Sequence, residues 1–239
     1  VTDVDAVLFD WGGTLAVHTE VELIDMWRTA AHVLVPDDLV SARNLTRQLA
    51  EVERRSWART TSSMRSSRLM DLLREASDEL GLDVAEAVLA TAQEAHLDGW
   101  TQTITHHPAA AELLSDLQRS EVKCGLLSNT HWPRSFHERF LERDGLGGLI
   151  DECVYTSEID WIKPHPEPFQ RLCDRLQVEP ERALFVGDRP IDDIQGASAV
   201  GMRTIWIRNT YAPGDGLVAD VVVDDLGEVW NALGDLVSS

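Results

Sequence analysis

From about residue 107 onward, short apolar strands alternate with amphipathic helices, and few architectures accommodate such a pattern. Residues 122–127, 153–155, 183–186, 204–207 and 221–223 read as strands. Around them, residues 108–120, 136–143, 167–176, 191–200 and 226–236 repeat apolar positions at helical spacing. Apolar strands joined by helices form a parallel sheet covered on both faces. One more apolar strand, residues 4–9, stands alone near the N-terminus. It has to enter the same sheet to be buried, so the long segment between is an insertion into an α/β domain.

That insertion, residues 17–106, reads as entirely helical. Leu23, Ile24, Trp27, Ala31 and Leu34 form a first stripe. Pro36-Asp37-Asp38 breaks it and starts a second helix over residues 39–59. Leu69, Leu72, Leu73, Ala76 and Leu80 form a third, stopped by Gly81, and residues 84–97 a fourth, stopped by Gly99. Four helices with short connections predict a compact bundle. The fold class is therefore α/β: a Rossmann-like parallel-sheet core, residues 1–16 and 107–239, with an inserted all-helical domain, residues 17–106.

The formal net charge of −20 excludes nucleic acid as a partner, because nucleic-acid phosphates need a basic face. It does not exclude a small phosphate ester, since one local site can be positive on an acidic protein. Cys124, Cys153 and Cys173 are odd in number and lack metal spacing, which suits reduced thiols. No apolar run reaches the roughly 18 residues of a membrane span. With no basic, cleavable N-terminal stretch, the expected location is cytoplasmic. The oligomeric state leaves no mark in the sequence.

In open parallel sheets, ligands bind beyond the carboxyl ends of the strands. Four segments meet that requirement: Asp10, followed by Trp11-Gly12-Gly13-Thr14; Ser128-Asn129; Lys163; and Asp188, with Asp192 and Asp193 just beyond. Carboxylates converging at one edge repel one another unless a hard cation joins them, and oxygen-only ligands suit Mg2+. Asp10 is then placed to attack phosphorus. Lys163 supplies a point charge, and the Ser128 hydroxyl and the backbone amides of the Gly12-Gly13 turn can donate to phosphoryl oxygens. Asn129 either caps the helix starting near Pro133 or bonds the phosphate.

Read in order, Asp10-Trp-Gly-Gly-Thr-Leu15, Leu127-Ser128-Asn129, Lys163-Pro-His-Pro-Glu-Pro-Phe169 and Val186-Gly-Asp188-Arg-Pro-Ile-Asp-Asp193 resemble the four motifs of the haloacid-dehalogenase superfamily. The resemblance spans nearly the whole core. It implies a helical cap, and a metal held by Asp10, the Gly12 carbonyl, Asp188 and Asp193, with Asp192 an adjacent alternative. The implied activity is Mg2+-dependent hydrolysis of a small phosphorylated metabolite through an aspartyl-phosphate. Asp10, Ser128 and Lys163 are then catalytic, and Gly12, Gly13 and Asn129 bind substrate.

One position departs from the family pattern. Phosphatases of the family usually carry a second Asp two residues after the nucleophile, where this chain has Gly12. A positioned acid/base contributes about 10²–10⁴-fold, so the absence matters. Three readings follow: a phosphatase in which a good leaving group or another side chain, His18 or His131, fills the gap; a 2-haloacid dehalogenase-like hydrolase; or a catalytically weak binding or regulatory protein. A fourth resemblance, of Asp-Trp-x-Gly-Thr to phosphonoacetaldehyde hydrolases, needs a cap lysine. The only lysines, Lys123 and Lys163, lie outside residues 17–106.

Arg54, Arg55, Arg59, Arg65 and Arg68 gather around Trp57 in the insertion. They form either an anion-recognition surface facing Asp10 or a solvated face paired with Glu51, Glu53 and Asp71. Trp27, Trp57 and Trp100 are expected to pack within the insertion or its hinge, and Trp11 beside the nucleophile.

Overall fold

The computed structural model describes residues 4–19, 22–208 and 218–237, without the side chains of His18 and residues 235–237. Its centre is a six-stranded parallel sheet in the order β5-β4-β1-β6-β7-β8. The strands are β1 (Ala6–Phe9), β4 (Lys123–Ser128), β5 (Glu152–Tyr155), β6 (Ala183–Gly187), β7 (Arg203–Ile207) and β8 (Val221–Val223). As expected, the isolated N-terminal strand joins this sheet. It lies between β4 and β6, with Phe9 opposite both Leu126 and Val186.

Burial on both faces explains why β1 is apolar at every position. Val7 and Phe9 join the core formed with Leu113, Leu114 and Leu117 of α5 (Ala110–Arg119) and Phe136 and Phe140 of α6 (Arg134–Arg143). Ala6 and Leu8 point to the other side, toward Phe169, Leu172 and Leu176 of α7 (Pro166–Leu176). The alternation is the period of two that a strand imposes. Toward the other edge, α8 (Gly196–Ala199) packs near β7 and α9 (Val229–Val237) near β8.

Between β1 and β4 the chain runs through β2 (Ala16–His18), α1 (Leu23–Leu34), α2 (Leu39–Ser63), α3 (Leu69–Glu79), α4 (Glu86–Trp100) and β3 (Ile104–His106). The four expected helices are present. Asp38 starts α2 as its sequence suggests, accepting from the Val40 and Ser41 amides at 2.9 and 3.2 Å. The expectation of an entirely helical insertion needs correction at both ends. β2 and β3 pair antiparallel, Ala16 opposite His106 and His18 opposite Ile104. Three-residue strands carry too short a pattern to read, and their pairing joins positions almost ninety residues apart. The ribbon makes the chain leave and re-enter the sheet side by side.

Among the described residues, no helix is long and apolar enough to cross a membrane. All three cysteines are free thiols.

Candidate active site

Asp10 is the first residue past β1, and its amide donates to the Val186 carbonyl of β6 at 2.9 Å. A tight turn follows, closed by Gly13 N–H to the Ala16 carbonyl and Ala16 N–H to the Trp11 carbonyl, both 2.7 Å. Gly13 has φ +92°, and a Cβ there would stand 2.5 Å from Oδ2 of Asp188. Glycine at this position thus permits both the turn and the close approach of the Asp188 carboxylate. The Gly13 amide, expected to face a bound phosphate, is engaged in this turn, while Gly12 and Gly13 both line the cavity described below.

Lys163 reaches the same place from the loop after β5. Only 1% exposed, its Nζ donates to Asp10 Oδ1 at 2.6 Å, to Asp193 Oδ1 at 2.7 Å and to the Leu127 carbonyl at 3.0 Å. Three acceptors satisfy all three ammonium hydrogens. Burial alone would lower its pKa, but Asp10 and Asp193 outweigh that and raise it. Asn129 fixes the backbone that presents this lysine: its Nδ2 donates to the Lys163 carbonyl and its Oδ1 accepts the Lys163 amide, each at 2.9 Å. This corrects the capping expectation for Asn129, which also lines the cavity where a phosphate was expected. The helix near Pro133 has no side-chain cap, and Asn129 is a positioning residue for Lys163.

After β6, Asp188 and then a π-helical turn, Pro190–Gln195, bring two more carboxylates in. Such turns recur at functional sites because they re-aim single side chains. Asp193, fully buried, rests on Gly187, where a Cβ would meet its Cβ and carboxylate at 2.5 Å. Its Oδ2 accepts the Arg189 amide at 2.9 Å. The adjacent Asp192 turns away to Arg189 Nη1 at 3.4 Å, so Asp193 is the member of the pair that joins Asp10 and Asp188.

Asp10, Asp188 and Asp193 each offer a carboxylate oxygen within 4.8 Å of the others. Burial pushes the Asp10 carboxyl up to about 6; Lys163 opposes this and the Asp193 charge reinforces it. Asp188 rises to about 7, again through burial first and then repulsion from Asp10 and Asp193. Three carboxyls against one buried ammonium leave surplus negative charge in a dry place.

A cavity of ≈ 280 Å³ opens above these residues. Ser128, at the end of β4, lines it together with Gly12, Arg189 and, from the inserted helices, Glu53 and Trp57. His131 lines it too: Nδ1 meets the Ser67 hydroxyl at 2.8 Å, Nε2 has no hydrogen-bond partner among the described residues, and burial holds the ring's pKa down to about 4. The arginine cluster does not line it. Arg54 pairs with Glu51, Arg55 with Glu75 and Glu79, Arg59 with Glu75, and Arg65 with Asp160, while Arg68 donates to the Ser157 carbonyl. The solvated-face reading therefore holds for these side chains, although Glu53 and Asp71 are not their partners.

A family model described as haloacid dehalogenase-like hydrolase matches residues 4–201. The chain belongs to that family. Phosphoglycolate phosphatase of Salmonella paratyphi A is 32% identical over 130 residues, 53% of this chain and 50% of its own length. The chain thus spans about half the length of that relative. Glyceraldehyde 3-phosphate phosphatase of Methanopyrus kandleri is 29% identical over 208 residues, 86% of this chain and 84% of its own. Among solved structures, 2-haloacid dehalogenase from Pseudomonas syringae pv. Tomato DC3000 superposes with a TM-score of 0.72 at 23% identity, covering 98% of this chain and 99% of that one. At that identity the likeness concerns the fold.

For this member of the haloacid dehalogenase-like hydrolases, the sequence named Asp10, Gly12, Ser128, Lys163, Asp188 and Asp193 as neighbours, and the fold assembles them. It missed Arg189, Glu53 and Trp57. The place of Arg189 beside Asp188 was a usable signal, since a cation flanking clustered carboxylates is rarely idle. Glu53 and Trp57 gave none, because a helix face shows its direction only when the helix is docked. The His18 side chain, a candidate proton donor, lies outside the described residues.

Proposed function

We propose that this chain is a Mg2+-dependent phosphatase that cleaves a small phosphorylated metabolite through an aspartyl-phosphate on Asp10. The observation that carries the reading is the convergence of the Asp10, Asp188 and Asp193 oxygens within 4.8 Å around an ammonium already bonded to two of them. An all-oxygen donor set with surplus negative charge fits a hard dication, held by Asp10, Asp188, Asp193 and the Gly12 carbonyl. When bound, the ion neutralises carboxylate and phosphate charge.

The chain's own residues supply the rest. Lys163 holds Asp10 Oδ1 and so fixes the carboxylate for attack. The Asp10–phosphorus bond forms as the ester oxygen departs in line. Water then attacks that phosphorus, releasing inorganic phosphate and restoring the carboxylate. The Ser128 hydroxyl and Arg189 guanidinium face the cavity and donate to phosphoryl oxygens. Residues 1–16 and 107–239 form the catalytic core in this reading, and residues 17–106 a cap closing the cavity with Glu53 and Trp57.

Gly12 provides no acid for the departing oxygen. At neutral pH His131, with its pKa near 4, is unprotonated. It can take a proton from water in the second step but holds none to give in the first. Turnover should therefore fall steeply as the leaving group becomes more basic. Gly12 is not among the positive-φ glycines, so its backbone does not bar aspartate. Gly12→Asp is expected to raise kcat on an alkyl phosphate such as glycerol phosphate by about 10²-fold, with a much smaller gain on p-nitrophenyl phosphate. Equal or absent gains would mean that another group already protonates the ester oxygen.

The absent acid also favours a second reading, a 2-haloacid dehalogenase-like displacement of halide by Asp10, which the family resemblance associates with metal-free action. Metal-stripped protein assayed on p-nitrophenyl phosphate and on 2-chloropropionate, with and without magnesium, separates the two. Phosphatase activity restored by magnesium is the expected outcome. Metal-independent halide release would replace it with the second reading, and inactivity on both would leave a binding protein.

A further inference from the structure

The part of the cavity lined by α2 is built unlike a site for an acidic metabolite. On α2, Glu53 and Trp57 stand one helical turn apart and both line the cavity. Glu53 is half-buried: its Oε2 accepts the Trp27 indole N–H at 2.7 Å, and nothing among the described residues bonds its Oε1. Trp57 lies against His131, with ring centroids 4.0 Å apart, and Trp11 and Trp132 add aromatic surface. The cationic side chains lining the cavity, among the described residues, are Lys163 and Arg189. Lys163 is bonded to Asp10 and Asp193, and the charge on Arg189 is held by Asp10, Asp192, Asp188 and Asp193. No arginine of α2 lines the cavity, and Arg54, Arg55 and Arg59 are tied to glutamates elsewhere.

A carboxylate on the organic half of a substrate would therefore meet Glu53 without a compensating cation. An ammonium would meet the opposite: a carboxylate oxygen awaiting a donor, on the same helix face as an indole. Indole is the strongest aromatic partner for a cation, and a charge-assisted hydrogen bond in a partly buried cavity is worth more than a neutral one. The volume of ≈ 280 Å³ suits a metabolite rather than a polymer.

We propose that the preferred substrate is a phosphate monoester whose alcohol half carries a protonated amine, with the ammonium received by Glu53 and Trp57. This rests on the phosphatase reading above, and it assigns a specificity role to the inserted helices. The reaction is unchanged by it: the phosphorus–oxygen ester bond breaks, and the amino alcohol leaves intact.

The test uses matched esters: glucosamine 6-phosphate, glucose 6-phosphate and 6-phosphogluconate, and O-phosphoethanolamine against 2-phosphoglycolate. In each set kcat/KM should favour the amine over the carboxylate by at least about tenfold. Glu53→Gln should shrink the amine-to-neutral ratio by a similar factor, and Glu53→Arg should turn the preference toward the carboxylates. Unchanged ratios in both variants, or a wild-type preference for carboxylates, would overturn the proposal. Calorimetric titration of the same esters into the Asp10→Asn protein reads the preference without turnover. Amine-selective binding there would uphold the specificity even if the phosphatase reading failed. Turnover of p-nitrophenyl phosphate without amine selectivity would sink the specificity alone.

Discussion

Asp10→Asn is expected to lower magnesium-dependent turnover of p-nitrophenyl phosphate by at least about 10³-fold, because it removes the atom that bonds phosphorus. The effect should fall on kcat. The fold should survive: Asn is nearly isosteric, and Lys163 keeps Asp193 and the Leu127 carbonyl as acceptors. Metal-free protein should even gain stability from the substitution at pH 8. The Asp10 carboxyl, pushed up to about 6, is less at home ionised in the fold than in the unfolded chain. Near-native turnover in a variant with an unchanged melting curve would remove Asp10 from the chemistry.

Lys163→Met carries the largest expected loss of stability, about 3–5 kcal/mol for breaking a buried charge cluster. It strands the Asp10 and Asp193 oxygens that now accept from Nζ at 2.6 and 2.7 Å. The pH dependence has a definite sign. A carboxyl whose folded pKa is raised stabilises the fold while protonated, and that contribution is lost as pH rises from the unfolded value near 4 through the folded value. For the metal-free protein the loss spans pH 4 to about 7, given Asp10 near 6 and Asp188 near 7. Without Lys163, which holds Asp10 down, the window extends upward. Urea unfolding in EDTA should show the variant's deficit larger at pH 8 than at pH 5. A deficit independent of pH would mean that the lysine matters through packing alone.

Much of this site was legible because each component follows a strand. Asp10 follows an apolar run and precedes a Gly-Gly turn, Ser128 ends another run, and Asp188 a third. A parallel sheet brings such ends to one edge whatever the loops do. Side-chain partners were harder to read. Asn129 offered two plausible local roles and has a further one, because Lys163 returns from 34 residues away to place its peptide against the amide. Gly13 looked like a phosphate cradle; its missing Cβ instead makes room for Asp188, a contact across more than 170 positions. Arg55 and Arg59 of α2 announced charge, but their pairing with Glu75 and Glu79 depends on how α3 docks.

The sequence by itself determined the α/β core, the helical insertion and the order in which carboxylates, hydroxyl and lysine arrive at the sheet edge, since periodicity and position relative to strands are local properties of the chain. Only the tertiary structure decided that Asp193 rather than Asp192 turns inward, that Lys163 spans two carboxylates, and that α2 presents Glu53 and Trp57 to the cavity. Those outcomes depend on helix rotation and docking, which the packing of distant segments sets and no local pattern encodes.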